Sequence, residues 1–113
     1  MILYIDTKDR KMITVSLRDA QGKQVKSLSE ENEYGSQVLL PLIEKLLHRA
    51  SKPGLDTQIQ TGIVHWEDLE KIEVETGPGS FTGLRVGVSV ANALGFTLGI
   101  SVNGKKVETE LTY

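Results

Sequence analysis

The chain has 113 residues, with 13 basic and 15 acidic side chains and a formal net charge of −2. This length fits one domain over residues 1–113, and the charge balance argues against direct nucleic-acid binding as the main role. Cysteine is absent, which excludes disulfides, thiolate metal ligands and a cysteine nucleophile. Uninterrupted apolar runs fall far below the roughly 20 residues of a membrane span. We therefore expect a cytoplasmic protein without a membrane segment.

The first third of the chain predicts three strands joined by short turns. Residues 2–5 form a short apolar run, as expected for a buried strand. Residues 12–18 alternate between apolar and polar side chains, and residues 23–29 form a more polar strand suited to a sheet edge. Consecutive strands with short connections predict an antiparallel meander.

A first helix is predicted over residues 36–50. Ser36 is a natural N-cap, and Pro53-Gly54 ends the helical pattern. Pro41 lies too far inside to be a first-turn proline of this helix, so we expect a kink there. Apolar side chains recur at helical spacing and spread over more than one face. Such a helix either sits deep in the core or meets a partner.

The second half predicts one long helix between short strands. A strand is expected at residues 72–76, a helix at about 82–98 and a strand at 100–102. Asn103-Gly104 is a strong hairpin signal, and the alternating residues after it predict a returning strand at about 105–113. The predicted order is βββ-α-β-α-β-β, an α/β fold with a mixed sheet of five or six strands.

The predicted core gathers the apolar side chains of these elements. Its members are Leu3, Ile5, Ile13, Val15, Leu17, Leu39, Ile43, Leu46, Leu47, Leu69, Ile72, Val74, Phe81, Val86, Val90, Leu94 and Ile100.

The most informative segment is a glycine-rich turn between a strand and the second helix, Thr76 to Gly87. Free N–H groups at a helix start can hold an anion, here around Gly77, Gly79, Ser80 and Thr82. The segment lacks the Gly-Lys-Ser/Thr of a P-loop, and its GxGxxxG spacing differs from the GxGxxG of dinucleotide-binding proteins. A structural role is therefore favoured over an occupied phosphate site.

The second helix carries a small residue at every fourth position: Gly83, Gly87, Ala91, Gly95 and Gly99. Interior glycines cost a helix about 1 kcal/mol each relative to alanine, and close packing of another backbone is the usual way to offset that loss. The ridge would pack on the protein's own sheet or first helix, or against another subunit. Both alternatives stay open at this point.

The remaining candidate residues carry weak signals. Asp6 and Asp9 flank the turn after the first strand, where a carboxylate could hold Mg²⁺ near a nucleotide, although solvated turn residues are favoured. His48 and His65 lack metal-binding spacing, and Ser80 is not in a GxSxG elbow. No catalytic residue and no metal ligand is assigned.

Three segments together resemble the TsaB (YeaZ) family. They are Ile5-Asp6-Thr7 after the first strand, Ser36-Gln37 followed by Leu39-Leu40-Pro41-Leu42-Ile43, and Gly77-Pro78-Gly79-Ser80-Phe81-Thr82-Gly83-Leu84-Arg85-Val86-Gly87. The resemblance covers roughly residues 1–102 and implies one ribonuclease H-like lobe of the Gcp-like, actin-like ATPase superfamily. It further implies a role in making the threonylcarbamoyladenosine modification of tRNA.

The resemblance also implies partners. Family members serve as a non-catalytic scaffold for the catalytic subunit TsaD, act alongside the ATPase TsaE, and form homodimers. Subunit contacts in the family use two helices, here residues 36–50 and 82–98. The side chains expected to bind a TsaD-like subunit or a second copy are Leu39, Leu42, Leu46, Gly83, Arg85, Gly87, Ala91 and Gly95.

The alternative is a nucleotide-binding enzyme of the actin-like ATPase class. In it, Asp6 would hold Mg²⁺ with ATP, and the Gly77–Gly83 turn would hold phosphate. Nucleotide binding in that superfamily uses a cleft between two lobes, and this chain resembles one lobe only. The scaffold role needs no cofactor and is favoured.

Overall fold

The computed structural model describes residues 1–9, 11–31, 38–49 and 64–112. The strands are β1 (Ile2–Asp6), β2 (Met12–Arg18), β3 (Gln24–Glu31), β4 (Lys71–Val74) and β5 (Ser101–Val102), and the helices are α1 (Leu39–Arg49) and α2 (Phe81–Leu98). A single 3₁₀ turn at Trp66–Asp68 precedes β4. The predicted order of elements agrees with the observed order as far as β5.

The five strands form one mixed sheet in the order β3-β2-β1-β4-β5. β1, β2 and β3 pair antiparallel, which confirms the predicted meander and the edge position of the third strand. β1 pairs parallel with β4, and β4 pairs parallel with β5. The mixed sheet follows because β4 and β5 are reached through helical crossovers rather than hairpins.

The core lies between one face of this sheet and the two helices. α1 packs against β2 and β3, and α2 packs against β1, β4 and β5. The opposite sheet face is polar: Tyr4 lies between Ser16 and Glu73 in the strand register. The core-facing side chains of the sheet are Leu3, Ile5, Ile13, Val15, Leu17, Ile72 and Val74.

The start of α1 corrects the expectation at Pro41. The helix begins at Leu39, so Pro41 is its third residue rather than an interior one. The first N–H groups of a helix have no intrahelical acceptor, so a proline there removes no hydrogen bond and the expected kink has no cause. Ser36, expected as the N-cap, and Pro53-Gly54, expected as the stop, lie outside the described residues.

The predicted last strand is wrong, although the turn that precedes it is confirmed. Asn103 and Gly104 have φ angles of 53° and 76°, and Val102 and Lys105 exchange two backbone hydrogen bonds of 2.7 and 2.9 Å across them. Beyond this bridge, no strand is assigned among residues 105–112. We call these residues the C-terminal strap; it ends with Thr112 N–H donating to Thr76 O at 2.8 Å.

One predicted core residue is on the surface. Phe81 is 53% exposed, because α2 turns its small residues toward the sheet and Phe81 lies outside that side. Val86, Val90, Leu94 and Ile100 are half-buried at the margin of the core. The other predicted core side chains are buried as expected.

Candidate functional site

The small-residue ridge of α2 packs on the protein's own sheet. A methyl group added to Gly83 would overlap the Thr7 carbonyl oxygen, and one added to Gly87 would overlap Thr7 Oγ1. At Gly95 it would lie 2.6 Å from Val102 Cγ2. Of the two alternatives for the ridge, packing within the chain is therefore the one observed.

Most of the residues expected to bind a partner are buried by this packing, and their contact with a partner stays a prediction. Seven of these eight residues are buried within the chain, because they face the sheet rather than the solvent: Leu39, Leu42, Leu46, Gly83, Gly87, Ala91 and Gly95. Arg85 alone is exposed. A subunit contact on α2 must therefore use the side of the helix that carries Arg85.

That side presents a shallow apolar groove of about 410 Å³, which we call the α2 groove. Its lining residues are Phe81, Thr82, Arg85, Val86, Ser89 and Val90. Phe96, six residues beyond Val90 on the same helix, is 88% exposed. Large exposed apolar side chains on one side of a helix are typical of protein–protein contact sites. Sequence periodicity missed this surface because apolar residues lie on both sides of α2: Leu84 and Val88 are buried, whereas Phe81 and Phe96 are exposed.

By length and composition, α2 could also cross a membrane, and it is the one helix in the described ranges to which this applies. A third of its residues are buried inside the protein. Its buried residues contact three strands of the sheet, as in the core helix of a globular domain.

The glycine-rich turn is packed against the β1–β2 loop. Ser80 N–H donates to Lys8 O at 2.8 Å, and the Ser80 side chain accepts from Gly83 N–H at 3.3 Å as the N-cap of α2. A methyl group at Gly79 would lie 2.7 Å from Lys8 Cβ and Lys8 O, and one at Gly77 would overlap Thr112 O. The glycines therefore permit close approach of neighbouring backbone, which is the structural role favoured from the sequence. Phosphate binding around Thr82 stays a prediction.

Asp6 lies at the end of β1 with its carboxylate already engaged. It accepts from Lys8 N–H at 3.1 Å, and Lys8 Nζ lies 3.7 Å from Asp6 Oδ2 and 3.9 Å from Glu75 Oε2. A lysine ammonium thus lies between two carboxylates at the carboxyl ends of the parallel strands β1 and β4. Mg²⁺ with ATP at Asp6 stays a prediction of the sequence.

Tyr4 is expected to ionise at unusually high pH. Partial burial and its 2.8 Å hydrogen bond to Glu75 Oε2 raise its pKa to about 12. Because the unfolded phenol ionises near 10, the folded state keeps this proton longer, and the stability it contributes is lost as the pH rises from 10 to 12. Ultraviolet titration of the wild type and of Tyr4→Phe measures this, and the difference between the two curves removes the signal of the other two tyrosines. The difference curve should rise near pH 12; a rise near 10 would contradict the hydrogen bond.

The C-terminal strap is held by side-chain amides rather than by a strand ladder. Asn92 donates from Nδ2 to Glu108 O at 2.9 Å and accepts from Glu108 N–H at 2.8 Å. Asn103, just before the strap, bonds in the same way to the backbone of Val74 in β4. Its Oδ1 accepts from Val74 N–H at 2.8 Å, and its Nδ2 donates to Val74 O at 3.0 Å. The Asn92 amide thus occupies backbone groups of Glu108 that a returning strand at residues 105–113 would have needed.

The Glu108 carboxylate is buried and fully hydrogen-bonded. Oε2 accepts from Asn103 Nδ2 at 2.8 Å, and Oε1 accepts from Lys105 Nζ at 3.1 Å and from the Thr109 and Glu110 N–H groups at 3.0 Å. Burial alone would raise its pKa, but these donors lower the pKa of Glu108 to about 2. Sequence alternation missed this cluster, because local carboxylate–backbone bonds leave no periodic signal.

His48 and His65 line one small cleft with Glu44 and Trp66, of about 350 Å³. His48 Nδ1 lies 2.8 Å from Glu44 O, the carbonyl one helical turn earlier. Within the described residues, no group of three or more histidine, aspartate or glutamate side chains is close enough to hold a metal ion.

Comparisons with known proteins place these features in a family. Residues 32–104 match the family model "TsaD: tRNA N6-adenosine threonylcarbamoyltransferase". The chain is 30% identical over 106 residues to a tRNA threonylcarbamoyladenosine biosynthesis protein TsaB from Buchnera aphidicola, which covers 92% of this chain and 43% of that protein. It is 49% identical over 37 residues to TsaB from Bacillus subtilis, covering 33% of this chain and 16% of that protein.

Among solved structures, YeaZ from Pseudomonas aeruginosa superimposes with a TM-score of 0.64 at 26% identity, covering 89% of this chain and 40% of that one. This chain therefore matches less than half the length of these relatives. The agreement confirms the ribonuclease H-like α/β lobe and the family resemblance expected from the sequence. The chain belongs to the family that the TsaD model describes, and within it to the TsaB (YeaZ) type.

Proposed function

We propose that this chain is a non-catalytic partner subunit in tRNA threonylcarbamoyladenosine modification, and that it binds a TsaD-like subunit through the α2 groove. The observation that carries the proposal is the exposed apolar side of α2. Phe81 and Phe96 are largely exposed there, and Val86 and Val90 are half-buried between them. The names of the TsaB relatives support the pathway in this proposal, and the exposed side of α2 supports the binding surface.

The opposite side of α2 explains why this surface is available. Gly83, Gly87 and Gly95 bring the helix close to the sheet, and Leu84 and Val88 are buried on the same side. Phe81 and Phe96 are left on the outer side, where burial against a partner would remove them from water. Burial of apolar area contributes roughly 25 cal/mol per Å², and aromatic side chains at the centre of an interface contribute most.

The proposal is tested by blocking the α2 groove. Ser89 is exposed and lines the groove, so Ser89→Trp fills it without disturbing the buried ridge. We expect binding to the TsaD-like protein of the same organism to weaken at least ~100-fold, since interfaces tolerate poorly a bulky group at their centre. Calorimetric titration of the two purified proteins measures this loss.

The matched control is Ser29→Trp, the same change at an exposed serine of the edge strand β3. It should bind like the wild type. Circular dichroism should show that both variants are folded. Equal binding by Ser89→Trp and the wild type would exclude the α2 groove as the contact surface.

The proposed pathway places the protein in the cytoplasm, with tRNA contacted by the assembled complex rather than by this chain alone. TsaE as a further partner and a homodimer of this chain stay predictions from the family resemblance.

A further inference from the structure

A lysine of the chain itself lies between two carboxylates at the carboxyl ends of the parallel strands. Asp6 ends β1, and Glu75 directly follows β4. Lys8 Nζ lies 3.7 Å from Asp6 Oδ2 and 3.9 Å from Glu75 Oε2, and these two acidic side chains are 23% and 25% exposed. One ammonium is therefore shared by two partly buried acids, at the edge of the sheet where α/β proteins commonly bind ligands.

The glycine-rich turn holds Lys8 in this position. Lys8 O accepts from Ser80 N–H at 2.8 Å, and Lys8 N–H donates to Asp6 Oδ1 at 3.1 Å. Gly79 approaches so closely that an added methyl group would lie 2.7 Å from Lys8 Cβ. The backbone and Cβ of Lys8 are therefore fixed, which keeps its ammonium within reach of both carboxylates.

The actin-like alternative implies Mg²⁺ with a nucleotide at Asp6, and the residues present do not fit that cation. Mg²⁺ binds oxygen ligands at about 2.1 Å in a near-octahedral arrangement. A metal ion that close to Asp6 Oδ2 would also lie close to the Lys8 ammonium, and like charges at about 4 Å repel each other, more so beside partly buried groups. The Ser80 N–H, expected as a phosphate donor, is already bonded to Lys8 O. Lys8 thus engages a group from each half of the expected site.

The carboxylates alone would suit a hard cation, so the misfit lies in the lysine. Carboxylate oxygens are the ligands that Mg²⁺ and Mn²⁺ prefer. Asp6 Oδ2 and Glu75 Oε2 both lie within 4 Å of one point, the position of Lys8 Nζ. Tyr4 OH donates to the same Glu75 oxygen at 2.8 Å, which holds that carboxylate in place.

We infer that Lys8 is the resident counter-cation of Asp6 and Glu75, and that its ammonium excludes divalent metal ions from this end of the sheet. The lysine charge balances the two acids in the position that a metal ion would need. The inference does not depend on the proposed partner surface, because Lys8 lies on the β1–β2 loop and not on α2.

The test removes the lysine charge and titrates the protein with Mn²⁺, a paramagnetic ion that prefers the same oxygen ligands as Mg²⁺. Lys8→Met keeps an unbranched side chain and loses the ammonium. Broadening of the Thr7 and Thr76 amide signals in NMR spectra reports Mn²⁺ beside Asp6 and Glu75. We expect Lys8→Met to bind Mn²⁺ there at least ~10-fold more tightly than the wild type.

Two controls separate the position of the charge from its presence. Lys23→Met removes an equal charge at an exposed lysine beyond the other end of β2, and it should change Mn²⁺ binding less than ~3-fold. Lys8→Arg keeps the charge and should bind Mn²⁺ as weakly as the wild type. The same NMR spectra show that each variant is folded.

The double variant Lys8→Met/Asp6→Asn should lose the gained affinity, because the carboxylate that holds the metal ion is gone. A gain that survives Asp6→Asn would overturn the inference, since the metal ion would then bind elsewhere. Mn²⁺ binding by the wild type as tight as that of Lys8→Met would also overturn it, because the ammonium would then exclude nothing. Neither result would bear on the proposed function, which is measured by binding of the TsaD-like protein.

Discussion

Gly83→Ala will destabilise the protein by about 2 kcal/mol or more, although alanine is the better helix former by about 1 kcal/mol. The added methyl group overlaps the Thr7 carbonyl oxygen, a backbone atom that cannot move by itself. Thr7 Oγ1 donates to Gly83 O at 2.6 Å, and Ser80 N–H donates to Lys8 O at 2.8 Å. These bonds hold the loop against the helix, so the strain cannot be relieved locally. Urea unfolding followed by circular dichroism measures the effect.

Ser89→Ala is the control on the same helix, because Ser89 is exposed on the outer side. It should change the free energy of unfolding by less than about 0.5 kcal/mol. A Gly83→Ala protein as stable as the wild type would mean that the loop and the helix are not in contact as described.

Gly87 offers a second test of the same packing. The atom that an added methyl group would overlap there belongs to a side chain, so a second mutation can remove it. A methyl group there overlaps Thr7 Oγ1, which Thr7→Ala removes. We expect Gly87→Ala to be destabilising in the wild type and much less so in the Thr7→Ala background, with a coupling of about 1 kcal/mol or more. Additive effects would contradict the contact.

Glu108→Gln will cost about 3 kcal/mol of folding free energy at neutral pH, the order of magnitude that follows from a pKa lowered from 4.5 to about 2. Every group that contacts the carboxylate is a donor: Asn103 Nδ2, Lys105 Nζ and two backbone N–H groups. A glutamine turns one acceptor into a donor, so one donor must face another. The matched control is Glu110→Gln, whose side chain is 87% exposed.

The contribution of the Glu108 carboxylate to the free energy of unfolding must depend on pH. The folded-state pKa lies below the unfolded one, so the stabilisation is complete above pH of about 5 and is lost as the pH falls toward 2. The difference in stability between the wild type and Glu108→Gln should therefore shrink with acid over this range. A difference that stays constant down to pH 2 would show that Glu108 acts through packing and not through its charge.

The sequence predicted the elements well where a single periodic pattern decides them. The alternation in residues 12–18 marks β2, and the apolar run with its glycine turn marks the start of α2 within one residue. Pro41 was misread because the expected helix began too early, and the position of a proline matters only relative to the first turn.

The candidate surface was harder to predict, since periodicity describes a helix but not what touches each side. The ridge of Gly83, Gly87 and Gly95 indicates close packing, yet the same ridge would suit a sheet or a subunit. Long-range contacts to Thr7 and Val102 decide between them, and these depend on tertiary structure. The strand predicted after Gly104 failed for a similar reason: Asn92, far away in sequence, binds the backbone of Glu108.

The backbone contact at Thr7 has a consequence for the thermodynamics of association. Because Gly83 and Gly87 leave no gap beneath α2, the helix has no room to rotate or slide when a partner arrives. Apart from Arg85 and Phe81, the α2 groove is lined by short side chains: Thr82, Val86, Ser89 and Val90. Such residues lose little rotamer entropy on burial, so the surface is preorganised, and less of the binding free energy is consumed in ordering it.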